Sequence, residues 1–192
     1  MPLLDADKFG GNWVFRFNQT LHFPLKFSLT MQNGACSSLV MAWIKMHKSG
    51  KSRLFPGNIK LPSYIRIVEN LKADRMDGLE FLYEIGLFNK YIVCYEEKDI
   101  EKKLATIDEG YETLTYGIHA IGIAVTAHGI DCFDPNLGCV HFPKREDFIA
   151  WFKEEYWPNR GEIVTMARPS NSFKLYTILP ISALETTSVH RR

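Results

Sequence analysis

Three side chains suited to nucleophilic acyl chemistry stand at Cys36, His119 and Asp134, each in a context that fits one part of that task. A cysteine attacks as its thiolate, and a helix N-terminus favours that ion because unpaired backbone N–H groups and the macrodipole stabilise negative charge there. Cys36 follows Gln32-Asn33-Gly34-Ala35 and precedes Leu39, Val40, Trp43 and Ile44 at helical spacing, so a buried helix is predicted to begin near it. Gly34 permits a sharp turn, and the small Ala35, Ser37 and Ser38 leave room for a carbonyl to reach the sulfur. The thiolate needs an imidazole that pairs with it and protonates the leaving amine, and the imidazole needs a third group to hold its ring. His119 sits in the apolar stretch Gly117-Ile118-His119-Ala120-Ile121-Gly122-Ile123-Ala124, and Asp134 ends the next such stretch, in Phe133-Asp134-Pro135-Asn136-Leu137-Gly138. A turn at Ala127-His128-Gly129 would make these a hairpin and bring Asp134 beside His119, its carboxylate accepting the Nδ1–H bond. Each residue also has a structural reading: a small apolar side chain at a helix start, a core histidine, and an Asp-Pro-Asn turn in which Asp bonds its own backbone.

Other groupings carry less chemistry. His128, Cys132, Cys139 and His141 have the right ligand types for zinc, but their spacing matches no zinc module, and Ile130, Phe133 and Val140 around the two cysteines point to packing. The acidic helix stretch Glu96-Glu97-Lys98-Asp99, with Arg145-Glu146-Asp147, reads as solvated faces, since opposite charges lie within one or two turns of each other. Trp151, Phe152, Tyr156 and Trp157 read as a core cluster, with contact to a partner protein as the other reading.

The elements that would position these residues change type along the chain. Trp13 to Thr30, broken by Pro24, reads as an extended entry strand or loop rather than a helix. Helical periodicity follows from Cys36, then in two stretches between Ser63 and Leu87 interrupted at Arg75-Met76-Asp77-Gly78, with a short third at Lys98 to Ile107. After Gly110 come Tyr111 to Ile118, Ala120 to Val125, Ile130 to Phe133 and Cys139 to Phe142, short and rich in β-branched or aromatic residues, as antiparallel strands should be. A helix over Arg145 to Tyr156 is predicted to stop at Pro158, before strands at Glu162 to Ala167 and Phe173 to Leu179. Helices first and a sheet second is an α+β order.

With 192 residues, 46% of them hydrophobic, no repeat and no linker-like tract, one domain spanning 1–192 is expected. A net charge of +1 with dispersed Lys and Arg argues against nucleic acid as a partner. No stretch approaches the length of a membrane span, and Met1 to Asp7 lacks a basic then apolar secretory leader, so a soluble protein is expected. Four cysteines without a C-x-x-C pair suit a reducing compartment.

Gly34-Ala35-Cys36 with Leu39 and Trp43-Ile44, then His119-Ala120, then Asp134-Pro135-Asn136-Leu137-Gly138, in that order, resemble the YopT/AvrPphB family of bacterial effector peptidases. The resemblance implies a papain-like fold, with a helical N-terminal part carrying the cysteine at a helix start packed on a C-terminal antiparallel sheet. It implies Cys36 as nucleophile, His119 as base and Asp134 as orienter, with no metal or organic cofactor. One departure stands out. Papain-like enzymes take an oxyanion-hole amide from Gln or Asn five or six residues before the cysteine, where this chain has Met31 and Thr30, so Asn33 and then Gln32 are the candidates here.

By resemblance the function is that of a thiol peptidase secreted into a host cell, acting there on a host protein and working as a monomer. Two other readings are open. The same triad deamidates or cross-links a glutamine side chain, or the frame is a protein-binding module without catalysis.

Overall fold

The computed structural model describes residues 4–22, 35–73, 78–164 and 172–183. Among these residues seven strands form one antiparallel sheet in the order β1-β6-β5-β4-β3-β7-β2. These are β1 (Asn12–Arg16), β2 (Leu87–Glu96), β3 (Gly110–Tyr116), β4 (His119–Thr126), β5 (Gly129–Asp134), β6 (Gly138–Phe142) and β7 (Ser172–Pro180). The run β3 to β6 is built from consecutive hairpins, as the short β-rich stretches predict.

β4 is buried at seven successive positions, because it lies mid-sheet with a helical layer on each face. On one face the helix α1 (Cys36–Lys48) packs through Val40, Trp43 and Ile44 against Ala120, Ala124, Phe133 and Cys139. Trp43 is fully buried, and Gly122 makes its close approach possible: a Cβ there would sit 2.8 Å from the Trp43 ring. Shorter helices α2 (Pro62–Lys72) and α3 (Gly78–Glu84) complete that side. On the opposite face α4 (Ile100–Ala105) and α5 (Arg145–Trp151) cover Leu114, Ile121, Ile123, Val140 and Phe142, with Phe148, Trp151, Phe152 and Tyr156 as the aromatic filling.

The helical stretches expected between Ser63 and Leu87 and at Lys98 to Ile107 are present as α2, α3 and α4, although Arg75, Met76 and Asp77 lie outside the described residues. Four expectations need correction. Pro158 does not end the last helix. α5 passes through a π turn at Phe152–Tyr156 into α6 (Trp157–Val164), where Pro158 takes the second position. The widened turn accommodates the proline ring, and a first-turn place is where a missing N–H costs least. Consequently Glu162 to Val164 are helical rather than strand, while residues 165–167 lie outside the described residues.

The third expectation concerns β2, a ten-residue edge strand that the periodicity did not mark. Its residues 90–92 are all exposed, so the alternation that reveals a half-buried strand is missing. Glu96 is its last residue, and only Glu97–Asp99 turn helically. Fourth, Trp13 to Thr30 is not extended throughout: β1 pairs with β6 at the other sheet edge, and Gln19–His22 then makes a single helical turn, while Pro24 lies outside the described residues. Strands from before and between the helices therefore join the C-terminal sheet.

Candidate active site

Cys36 is the first residue of α1, so its backbone N–H has no partner within the helix, and the side chain is 6% exposed. His119 opens β4 and Asp134 closes β5. The two-residue turn at Ala127-His128, followed by Gly129, sets the register that places them at the same end of the hairpin. His119 Nδ1 lies 3.1 Å from Cys36 Sγ, and His119 Nε2 lies 3.1 Å from Asp134 Oδ1. The three predicted residues are thus linked through the imidazole, with the ring turned opposite to expectation: Nδ1 faces the sulfur and Nε2 the carboxylate. Starting a strand immediately after the Gly117-Ile118 turn, His119 meets the helix with its near edge and β5 with its far edge.

Burial pushes the Cys36 thiol pKa up, but the hydrogen bond and charge of His119 and the N–H of Gln19 outweigh it, and the net shift is downward. Burial likewise opposes charge on His119, yet the Asp134 carboxylate, acting by charge and hydrogen bond, and the Cys36 sulfur raise it to about 10. Both shifts favour a thiolate–imidazolium pair around neutrality.

Asp134 is 2% exposed and well satisfied. Oδ1 accepts the Asn136 backbone N–H at 2.6 Å as well as the His119 bond, and Oδ2 accepts the Tyr156 hydroxyl at 2.5 Å. The Tyr116 hydroxyl in turn lies 2.9 Å from that of Tyr156. Tyr156, read from sequence only as core filling, therefore also anchors the carboxylate from the helical layer. The Asp-Pro-Asn turn is tight because Gly138 adopts φ +118°, and a Cβ there would run into the Phe15 carbonyl on β1.

Gln19 is the site residue that sequence reasoning missed. Its Nε2 lies 3.4 Å from Cys36 Sγ and donates to Asn136 Oδ1 at 2.7 Å, while its backbone N–H donates to the Pro135 carbonyl at 2.8 Å. Asn136 is itself fixed by donating Nδ2 to the Ile163 carbonyl at 3.0 Å. The segment after β1 is laid on the Asp-Pro-Asn turn, which aims the Gln19 amide at the sulfur. Asn33 and Gln32, the residues named from sequence for this role, and Gly34 lie outside the described residues. The signal that points to Gln19 is a glutamine closely following an edge strand, and it becomes informative only once that strand is paired.

Cys132 and Cys139 are buried in the cores on opposite faces of the sheet, which separates them as ligands, and His128 is exposed at the hairpin tip. His141 Nδ1 instead contacts Asp131 Oδ1 at 2.7 Å, and His47 Nε2 contacts Asp131 Oδ2 at 2.8 Å. Among the described residues no group of three His, Cys, Asp or Glu is arranged to hold a metal ion, and no helix is long and apolar enough to cross a membrane.

A model of the C58 peptidase family, described as Yersinia/Haemophilus virulence surface antigen, matches residues 98–170, which contain His119 and Asp134 but not Cys36. Among curated proteins, cysteine protease yopT1 of Yersinia enterocolitica is 30% identical, over 79% of this chain and 59% of its own length. Cysteine protease YopT of Yersinia pestis is 29% identical with the same coverage. The chain therefore spans 59% of the length of these relatives. Among solved structures, the Pseudomonas avirulence protein AvrPphB superposes with a TM-score of 0.54 at 13% identity, covering 78% of this chain and 93% of that one. PatoxP, a cysteine protease-like domain of the Photorhabdus asymbiotica toxin PaTox, gives 0.57 at 18% identity, covering 91% and 58%. The sequence relatives and the shared fold agree: this chain is related to the YopT/AvrPphB cysteine proteases and has their papain-like α+β architecture.

Proposed function

We propose that the protein is a thiol peptidase of the YopT/AvrPphB type in which Cys36, His119 and Asp134 form the catalytic triad. The observation that carries this reading is the continuous contact from sulfur through imidazole to carboxylate, 3.1 Å on each side of the ring, with the thiol pKa lowered and the imidazole raised. The Cys36 thiolate adds to a peptide carbonyl, forming the S–C bond and a tetrahedral oxyanion. The Cys36 backbone N–H and the Gln19 amide stabilise that charge. His119 gives its proton to the departing amine as the C–N bond breaks, leaving a thioester. It then takes a proton from water as the hydroxyl adds to the thioester carbonyl; collapse breaks the S–C bond, restores the Cys36 thiolate beside the imidazolium and releases the acid, which loses its proton to solvent.

Gln19 beside the sulfur is placed to supply the side-chain amide that is absent five or six residues upstream of Cys36. Strands from both ends of the described chain hydrogen-bond into one sheet, which supports one catalytic domain over 1–192. The kinship with Yersinia cysteine proteases supports an effector that acts on a protein of a host cell.

The test is incubation of the protein with host-cell lysate, followed by mass spectrometry of new N-termini, with Cys36→Ala alongside. Cleavage at one or a few sites that vanishes in the variant is the expected result. Altered side-chain amide masses at unchanged chain length would replace the reading with deamidation, and no difference from Cys36→Ala would leave a binding module.

A further inference from the structure

A trough of about 430 Å³ opens at His119, and its other lining residues are used by neither the triad nor the oxyanion hole. Its floor is a register row across the sheet: Ala120 on β4 faces Thr115 on β3, Thr115 faces Lys174 on β7, and Lys174 faces Cys94 on edge strand β2. Alternation along β7 explains why this face is open. Phe173 and Leu175 point into the core under the C-terminal helix, while Lys174 is exposed and Tyr176 partly so on the other side. That second face carries α1 over β4 and β5, and α1 leaves the trough uncovered beyond Ser37, which forms its near wall. At the mouth stands Ile118, 69% exposed on the β3–β4 turn directly before His119.

Among the described residues the lining of the trough holds no carboxylate, and its exposed charged group is Lys174, the His119 ring being buried between Cys36 and Asp134. Lys174 has no carboxylate partner among the described residues, unlike Lys98 and Lys153, which pair with Glu96 and Glu101. An ammonium without a carboxylate partner on the floor of a groove that reaches His119 and Ser37, the neighbours of Cys36, is positioned to meet a substrate anion.

Resting on the peptidase reading, we propose that this trough seats the substrate polypeptide next to the scissile bond and that Lys174 selects an Asp or Glu side chain there. Strand spacing sets the distance. Two strand steps from Ala120 to Lys174 are about 10 Å, roughly three residues of extended peptide, so the selected carboxylate falls about two to four residues from the scissile bond. Ile118 and Tyr176 supply apolar contact on the way, and recognition of the acidic side chain is by charge-assisted hydrogen bond.

The test uses protection of Cys36 from iodoacetamide by pools of short peptides matched in length and composition except for Asp and Glu in one, Lys and Arg in the other. Alkylation is read by mass spectrometry on the Cys36 peptide, because Cys94 in the same trough is a free, exposed thiol. Each variant is normalised to its own peptide-free rate. The acidic pool is expected to protect roughly fivefold better than the basic pool, as a partly exposed ion pair allows. Lys174→Gln abolishes the difference and Lys174→Glu reverses it. Equal protection by both pools, or a preference that survives in Lys174→Glu, overturns the assignment. The peptide-free rate keeps the two readings apart: alkylation of Cys36 no faster than in His119→Ala defeats the peptidase reading itself, and with it this one.

Discussion

At the scale of single residues, the sulfur of Cys36 is held between two donors, and each contributes differently. His119 sets the ionisation, while the Gln19 amide is placed to accept charge that appears only once the carbonyl has been attacked. Gln19→Ala should therefore lower kcat by roughly 10²- to 10³-fold with little change in KM, the pattern of a lost oxyanion-hole donor. Steady-state kinetics on a substrate found in lysate would check this, and a rise in KM at unchanged kcat would assign Gln19 to ground-state binding instead. Gln19 is also where sequence reading fell short for a physical reason. Its position depends on bonds to Pro135 and Asn136, more than a hundred residues away, and local spacing carries no trace of them. Cys36, His119 and Asp134 were legible because helix start, strand and turn each leave a local pattern.

At the scale of elements, the site depends on α1 keeping its place against β4 and β5. The N-terminal end of the helix is held by the catalytic contacts and its middle by Trp43 over Gly122. The far end is tied by His47, whose Nε2 meets Asp131 on β5 at 2.8 Å and whose Nδ1 meets the Tyr111 hydroxyl on β3 at 3.1 Å. His141 on β6 holds the other Asp131 oxygen. Burial raises the Asp131 pKa, but the hydrogen bonds and charges of the two histidines outweigh it, so the folded-state value lies below the ordinary one. A depressed carboxylate pKa contributes stability that is present above the unfolded value and is lost as pH falls through the folded value. Asp131→Asn should thus cost about 1–2 kcal/mol at neutral pH, roughly 2–8 °C in Tm, with the deficit shrinking in acid. Thermal melts of both proteins across pH would show it, and a deficit unchanged down to strongly acidic pH would contradict it. The strands β3 to β6 and the helix at Cys36 were readable from period and turn residues. β2 and the helix through Pro158 were not, because an exposed edge hides alternation and a π turn admits a proline that local rules treat as a stop.

At the scale of the whole molecule, the site is a junction between layers. The proposed nucleophile comes from the helix on one face of the sheet, the proposed base and orienter from the ends of two central strands, and the Tyr156 anchor of Asp134 from the helical layer on the other face. Closing the sheet across strands far apart in sequence brings these stretches together, so the charge state of one sulfur reports on the assembled fold. The catalytic form needs a thiolate together with an imidazolium, hence turnover is confined between the lowered Cys36 pKa and the His119 value of about 10. The most direct measurement is the ultraviolet thiolate absorbance of the protein minus that of Cys36→Ala, followed across pH. The expected difference signal rises below the ordinary thiol value of 9.0 and moves upward in His119→Ala. A signal that rises only at or above that value, or that His119→Ala leaves unmoved, would contradict the ion pair on which the activity rests.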